Sequence, residues 1–313
     1  MKRMILIVFC FFVVTLFLSQ PLFSQEKKDE AKDKKVSQWL IENWTGIYYH
    51  GKGTPYMANK EIVVAMNDLN VGFNLFMDKE KFLGPFYRNR VTYEPKRGLP
   101  WFNIVENAFG VRWRPGFFQF GIEIANVRYL PSARFTNVGD QGWDFITEDA
   151  NEYTAFRAFG SFWDDWRVGD WLQGEEWGQI YYHGRGTDKQ PNYIDYNNVI
   201  FYTTAEVDLN LIRFAKEKAE AGERSKSMIQ VIGKINGAYD TKQYPWNNYY
   251  EGGLGLQFRY SSFRIGVEHI WGNFHKNAQF HNIGGYGWDM NPERPYRTWR
   301  IFANLWLSYQ RDR

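Results

Sequence analysis

The chain has very little cysteine: among its 313 residues there is one, Cys10. It lies inside an apolar run from Met4 to Leu18 that follows Lys2 and Arg3, the pattern of a secretory signal peptide, with an uncleaved anchor as the alternative. Removal of residues 1–24 would leave a chain without thiols, which excludes disulfide bonds and thiolate chemistry. Secretion without disulfides is typical of a bacterial envelope protein.

Long apolar runs and a strong net charge are also missing. Beyond residue 24 no further apolar run is long enough for a membrane-spanning helix. The formal charge of +3 is too small to indicate a nucleic-acid partner. Residues 25–43 begin with a dense mixture of both charge signs, and we expect them to form a charged periplasmic linker.

From residue 44 onward the sequence alternates between apolar and polar residues in long segments, which indicates β-strands with one apolar face. In Phe118–Ile124, for example, large apolar side chains alternate with Gln119, Gly121 and Glu123. Twelve strands are predicted, at about 44–54, 61–77, 86–95, 103–115, 117–130, 152–164, 177–187, 198–213, 227–240, 248–260, 262–274 and 296–310.

The same segments occur twice in the chain. Trp101–Asp144 aligns without a gap on Trp246–Asp289, and IYYHGKGT, which begins at Ile47, recurs as IYYHGRGT from Ile180. A period this long indicates a duplicated half-domain rather than a solenoid unit. We therefore predict six strands in each half, 44–166 and 177–310.

Three features favour a membrane barrel over a periplasmic sandwich with Trp-rich sugar-binding loops. The strands are long, aromatic residues cluster at strand ends, and full charges sit in mid-strand opposite an almost uncharged face. Tight links also alternate with long ones, as in outer-membrane barrels, although residues 166–176 and 215–226 are predicted to form longer periplasmic links. The prediction is an all-β transmembrane barrel of about twelve antiparallel strands, spanning 44–313, in the bacterial outer membrane. Aromatic residues at strand ends resemble the girdles at the two membrane interfaces: Trp44, Tyr48, Tyr49, Trp101, Trp113, Trp163, Trp166, Trp171, Trp177, Trp246 and Trp306.

The charged residues of the polar faces are the main functional candidates. A charge facing lipid at the midplane would cost about 2–4 kcal/mol, so these side chains are predicted to face the lumen. They either pair with one another and fill a narrow barrel, or form a polar constriction that selects a hydrophilic solute. The predicted set is Asp68, Glu106, Arg112, Arg114, Glu123, Glu206, Asp208, Glu251, Arg259, Arg264 and Glu268.

Other polar motifs carry weaker signals. A Gly-Trp-Asp sequence recurs in two long links, so Trp143, Asp144, Trp288 and Asp289 are outer-loop candidates that either bind sugar or fold back over the barrel mouth. The two copies of Tyr-Tyr-His-Gly contain His50 and His183, to which the sequence assigns no role. No catalytic set, metal site or cofactor is predicted.

The sequences GVRWRP (from Gly110), FGIEIANVRYL (from Phe120), DDW (from Asp164) and YYEGGLGLQFRYSSFRIGVEH (from Tyr249) resemble the C-terminal domain of bacteriophage N4 adsorption protein A. The resemblance implies an outer-membrane barrel associated with exopolysaccharide export. Members of that family often carry a periplasmic helical-repeat region, which this chain lacks, so a separate periplasmic export component would be its partner. The family supplies no catalytic residues.

The predicted function is therefore a channel or export component for a hydrophilic polymer such as exopolysaccharide, embedded in outer-membrane lipid. A non-conducting structural or adhesion barrel that acts through its outer loops is one alternative. An outer-membrane lipid hydrolase is another. The sequence does not determine the oligomeric state.

Overall fold

The computed structural model describes residues 39–51, 62–78, 81–95, 103–130, 152–184, 197–214, 227–242, 247–276 and 295–310. The predicted signal peptide and the Gly-Trp-Asp motifs lie outside these ranges. No helix in the described part of the chain is long and apolar enough to cross a membrane. The strands are β1 Trp39–His50, β2 Val63–Phe73, β3 Phe76–Asp78, β4 Lys81–Tyr93, β5 Ile104–Pro115, β6 Phe118–Tyr129, β7 Glu152–Val168, β8 Leu172–His183, β9 Asn198–Arg213, β10 Ser227–Asp240, β11 Tyr249–Tyr260, β12 Phe263–Phe274 and β13 Tyr296–Gln310.

The twelve long strands form one closed ring of antiparallel pairs. Each long strand pairs with its neighbours along the chain, β13 closes the ring onto β1, and β2 pairs with β4. The three-residue β3 pairs only with the start of β4 and adds no strand to the wall. Closure satisfies the backbone of every wall strand and leaves no free edge. The predicted twelve-stranded antiparallel barrel is confirmed.

The outer face of the ring is apolar. Phe109, Ile122, Leu254 and Ile301 all point outward from the middle of their strands, with 50–65% of their surface exposed. A sandwich would bury these side chains between its sheets, whereas a closed ring with an apolar exterior is the β-architecture that lipid accepts. The chain is thus a β-barrel of the bacterial outer membrane.

Several strand boundaries differ from prediction. β1 begins at Trp39, inside the predicted linker. β7 continues to Val168 and β8 begins at Leu172, so the predicted link over 166–176 is wrong, and only Gly169–Trp171 separates the strands. Here both faces carry polar residues, because the strand ends leave the apolar zone, and the alternation that marks a strand disappears from the sequence.

The two ends of the barrel differ in their connections. Tight turns at 116–117, 169–171 and 261–262 mark what we call the short-turn end, and positive φ angles at Gly116, Gly169 and Ser261 fit such turns. The connection from β9 to β10 also lies at this end. We call the opposite end, where β6 and β12 finish, the long-link end.

The matching sequence segments adopt matching pairings. In the β5–β6 hairpin Gly110 lies opposite Glu123, and in the β11–β12 hairpin Gly255 lies opposite Glu268. The equivalent residues of the two segments therefore share one register. Duplication of a half-domain explains this agreement and stays a hypothesis.

Candidate functional site in the barrel lumen

All eleven predicted charges lie on inward-facing positions. Strand pairing places each of them on the side of the sheet opposite the apolar exterior. Seven are buried: Glu106, Arg112, Glu123, Glu206, Asp208, Glu251 and Glu268. The other four, Asp68, Arg114, Arg259 and Arg264, are half-buried.

The first ion cluster joins Arg88 and Arg157 to Glu106 and Glu123. Arg88 Nη2 lies 2.9 Å from Glu106 Oε1 and 2.6 Å from Glu123 Oε1, and Arg157 Nη2 lies 2.7 Å from Glu106 Oε2. Arg88 also donates a hydrogen bond of 2.9 Å to the Tyr181 hydroxyl, four strands around the ring. These five side chains are only 1–7% exposed, so the lumen is packed at this level.

The second ion cluster is centred on Arg300. Its guanidinium contacts Glu251 at 2.9 Å and Glu268 at 3.1 Å. The Tyr296 hydroxyl donates a further hydrogen bond of 2.6 Å to Glu251. Charged hydrogen bonds of this kind offset the desolvation of buried carboxylates.

A third group of charges spans the lumen nearer the short-turn end. Arg264 on β12 forms a bidentate pair with Glu175 on β8, at 2.8 and 3.0 Å, although four strand positions separate these strands. Arg264 also contacts Glu206 at 3.2 Å, and Lys234 lies 3.5 Å from the same carboxylate. Side chains therefore tie together strands that lie far apart in the ring.

Three predicted charges lie in other polar contacts. Asp208 accepts hydrogen bonds from the side-chain amides of Gln173 at 2.8 Å and Gln257 at 3.3 Å. Asp68 pairs with Arg90 at 2.6 Å. Arg112 donates to Asn70 at 3.1 Å, and its guanidinium lies 5.2 Å from the centre of the Phe82 ring.

The cationic partners in the first two clusters were missed from the sequence. Arg88, Arg157 and Arg300 sit among apolar or mixed residues, and alternation alone gave them no priority. One signal was available, because Arg157 and Arg300 occupy the same place in the matching sequences FRAFGSFW and WRIFANLW. An arginine that occurs at the same lumen-facing position in both halves is a candidate partner for the glutamates that also occur in both halves.

A chamber of about 480 Å³ lies inside the lumen near the short-turn end. Its size falls within the range of small-ligand sites. Its wall combines aromatic rings with charged and amide groups of both signs. The lining includes Trp44, Tyr48, Trp163, Asp165, Arg167, Gln173, Glu175, Glu206, Asp208, Lys234, Arg259, Ser262, Arg264, Asn304, Trp306 and Ser308.

Several aromatics predicted to face the membrane interface belong to the lumen instead. Trp44, Tyr48, Trp163 and Trp306 line the chamber. Trp177 lies opposite Trp163 in the β7–β8 pairing and shares its inward side. The girdle interpretation of these five residues is wrong. Successive side chains of a strand point to opposite faces, so a residue an even number of positions from a luminal charge also faces the lumen, wherever it lies along the strand. Other members, such as Trp113, do point outward.

The two repeated histidines lie beside the ion clusters. His50 is opposite Arg300 in the β1–β13 pairing, and His183 is opposite Arg157 in the β7–β8 pairing. In each ring Nδ1 is buried and has no hydrogen-bond partner among the described residues. Those residues contain no group of three His, Cys, Asp or Glu side chains that could hold a metal ion.

Comparison with solved structures finds barrels at low sequence identity. LpxR from Salmonella typhimurium is 7% identical, with a TM-score of 0.34 over 84% of this chain and 99% of that chain. A bacterial polysaccharide outer membrane secretin is 10% identical, with a TM-score of 0.32 over 88% and 100%. The KdgM porin is 7% identical, with a TM-score of 0.29 over 84% and 98%.

No family model matches the chain, and no curated protein does. The resemblance to the adsorption protein A family therefore stays a prediction. This chain is an outer-membrane β-barrel whose function has to be inferred from its own lumen.

Proposed function

We propose that the protein is an outer-membrane channel or export component for a hydrophilic polymer such as exopolysaccharide. The observation that carries the proposal is the chamber within the lumen, with its charged, amide and aromatic lining. Such a lining can exchange hydrogen bonds with a hydrated solute, whereas a barrel built only as an anchor needs no internal space. Outer-membrane barrels have their short turns on the periplasmic side, so a separate periplasmic component would deliver the polymer to the short-turn end.

The ion clusters would set the resting state of this channel. The first cluster is packed and almost fully buried, and Arg264–Glu175 bridges the lumen beside the chamber. The structure corresponds to the closed form under this proposal. Passage of a polymer would require the guanidinium–carboxylate contacts to exchange for contacts with the solute, which charged side chains on flexible stems can do.

Single-channel recording in planar bilayers tests the proposal. Purified protein should give discrete conductance steps, and the double variant Glu106→Gln/Arg157→Gln should open more often because it loses a 2.7 Å ion pair without a change in net charge. Arg297→Gln, at an exposed position on β13, is the control and should behave as the wild type. Silence of both wild type and double variant, with heat-modifiable gel mobility intact, would overturn the channel.

One observation favours a non-conducting barrel as the second candidate. Arg88 on β4 donates a hydrogen bond across the lumen to Tyr181 on β8, at a level where both side chains are less than 10% exposed. A permanent side-chain filling of this kind would stabilise a narrow barrel whose function lies in its outer links. Silent bilayers with an intact fold would support this candidate.

A further inference from the structure

Four tryptophans face one another inside the lumen near the short-turn end. Trp44 lies opposite Trp306 in the β1–β13 pairing, and Trp163 lies opposite Trp177 in the β7–β8 pairing. The two pairs stand on opposite walls, because β7 and β13 are six positions apart in a ring of twelve long strands. We call these four residues the tryptophan quartet.

The two pairs meet across the lumen. The indole rings of Trp163 and Trp306 lie with centroids 5.4 Å apart and planes at 87°, an edge-to-face contact. Trp306 nevertheless keeps 39% of its surface exposed, and Trp177 keeps 36%. Packing alone does not account for these residues, since indoles used only as filling would be covered.

A flat aromatic surface extends from the quartet along β1. Trp44 and Tyr48 stack with centroids 6.1 Å apart and planes at 27°. Gly46 lies between them, and a Cβ there would come within 2.8 Å of both rings. The glycine therefore lets both rings lie against the wall with their faces toward the chamber.

Polar groups surround these ring faces. Asn304 and Ser308 are on the strand of Trp306, and Lys234 and Glu206 reach in from β10 and β9. A pyranose ring has a face of C–H groups that packs on an indole and a rim of hydroxyls that both donate and accept hydrogen bonds. The chamber offers both halves of that chemistry, and its charges of both signs favour no purely anionic or cationic solute.

We propose that the tryptophan quartet and Tyr48 form a saccharide-binding site within the lumen, which holds a short segment of a glycan chain by stacking. This proposal rests on the proposed function and names the place where the polymer is held. Separation of Trp163 from Trp306 would let a sugar ring enter between the two walls, so that the same contact that closes the lumen becomes part of the site.

Calorimetric titration of the detergent-purified barrel tests the site. Cellohexaose, chitohexaose and maltohexaose serve as probes, because their rings present flat C–H faces in three different arrangements. At least one should bind the wild type, and Trp44→Ala and Trp306→Ala should each weaken that binding at least tenfold. Trp299→Ala, which removes an outward-facing indole from the same strand as Trp306, should leave binding unchanged.

Two results would overturn the site: no heat of binding with any of the three probes, or equal affinity in wild type, Trp44→Ala and Trp306→Ala. Gly46→Val is a second kind of variant, which keeps all four tryptophans but displaces the rings of Trp44 and Tyr48, and it should also lose binding. Each variant is first checked for heat-modifiable gel mobility. If both alanine variants misfold, Gly46→Val decides.

Titration and bilayer recording separate the two proposals. Oligosaccharide binding without any conductance would contradict the channel proposal and support the binding site. Conductance without oligosaccharide binding would contradict the binding site and support the channel proposal.

Discussion

Arg157 and Arg300 occupy equivalent places in two matching ion clusters on opposite walls of the barrel. Each guanidinium contacts a glutamate on each of the two preceding strands, Arg157 at 2.7 and 3.4 Å and Arg300 at 2.9 and 3.1 Å. The clusters differ in their second cation. Arg88 shares both glutamates of the first cluster, whereas Lys234, at the matching position of β10, contacts Glu206 instead.

This difference predicts unequal costs of removing the two arginines. Arg300→Gln should lower the free energy of unfolding by about 3–5 kcal/mol, because Glu251 and Glu268 would remain buried without their guanidinium. Arg157→Gln should cost clearly less, since Arg88 still contacts Glu106 and Glu123. Urea unfolding in lipid vesicles measures both, with the exposed Arg297→Gln as control. Equal losses for the two variants would contradict the assignment of Arg88 as a shared partner.

A charge on the outer face should be costly in proportion to its depth. Ile122 lies in the middle of β6 with 52% of its surface exposed, and Ile212 lies one residue from the end of β9 with 49% exposed. Ile122→Arg should destabilise the folded barrel by about 2–4 kcal/mol and Ile212→Arg by about 0–1 kcal/mol. The measurement is urea-dependent folding into vesicles. A similar cost at both positions would argue against a lipid-facing exterior.

Arg112 and Arg259 should differ in their effect on ion selectivity. Arg259 lines the chamber, while Arg112 is 2% exposed and packs over aromatic rings. In a conducting barrel Arg259→Gln should shift the reversal potential in a KCl gradient toward cation preference. Arg112→Gln should leave selectivity unchanged and lower stability, because it empties a packed site. A selectivity shift from Arg112→Gln alone would place the ion path at that level instead.

Two glycines of the wall should respond differently to a methyl group. A Cβ at Gly121 would lie 2.8 Å from the Val111 carbonyl oxygen and would collide with the Phe159 ring, whereas a Cβ at Gly252 would meet nothing within 4 Å. Gly121→Ala should therefore cost about 1–3 kcal/mol through overpacking. Gly252→Ala should be close to neutral. Heat-modifiable gel mobility over a temperature series compares the two, and an unaffected Gly121→Ala would mean that Phe159 moves aside freely.

The sequence predicted which charges face the lumen better than it predicted which side chains they pair with. Alternation fixes the face of each residue because successive side chains of a strand point to opposite sides. It therefore assigned Glu106, Glu251 and the other predicted charges to the lumen. It could not rank Arg88, Arg157 or Arg300, since the face of a residue does not reveal which side chains across the lumen it meets.

The lumen-facing aromatic residues also show what the sequence alone did not predict. Trp44, Trp163, Trp177 and Trp306 lie at or near the ends of the predicted strands, which is also where interface girdles occur, and composition did not distinguish the two uses. Counting parity from Arg157 to Trp163 and from Arg300 to Trp306 would have placed those two indoles inside. The link over 166–176 was mispredicted because polar residues on both faces hide a strand.

By itself the sequence determined the number of wall strands, their antiparallel order and the side on which the eleven predicted charges lie, because these follow from a period of two and from link lengths. Only the tertiary structure decided which residues meet across the ring. The stagger between neighbouring strands and the closure of β13 onto β1 set those distances, and neither can be read from alternation. They bring Trp163 to Trp306 and Arg264 to Glu175, and with these contacts they create the chamber.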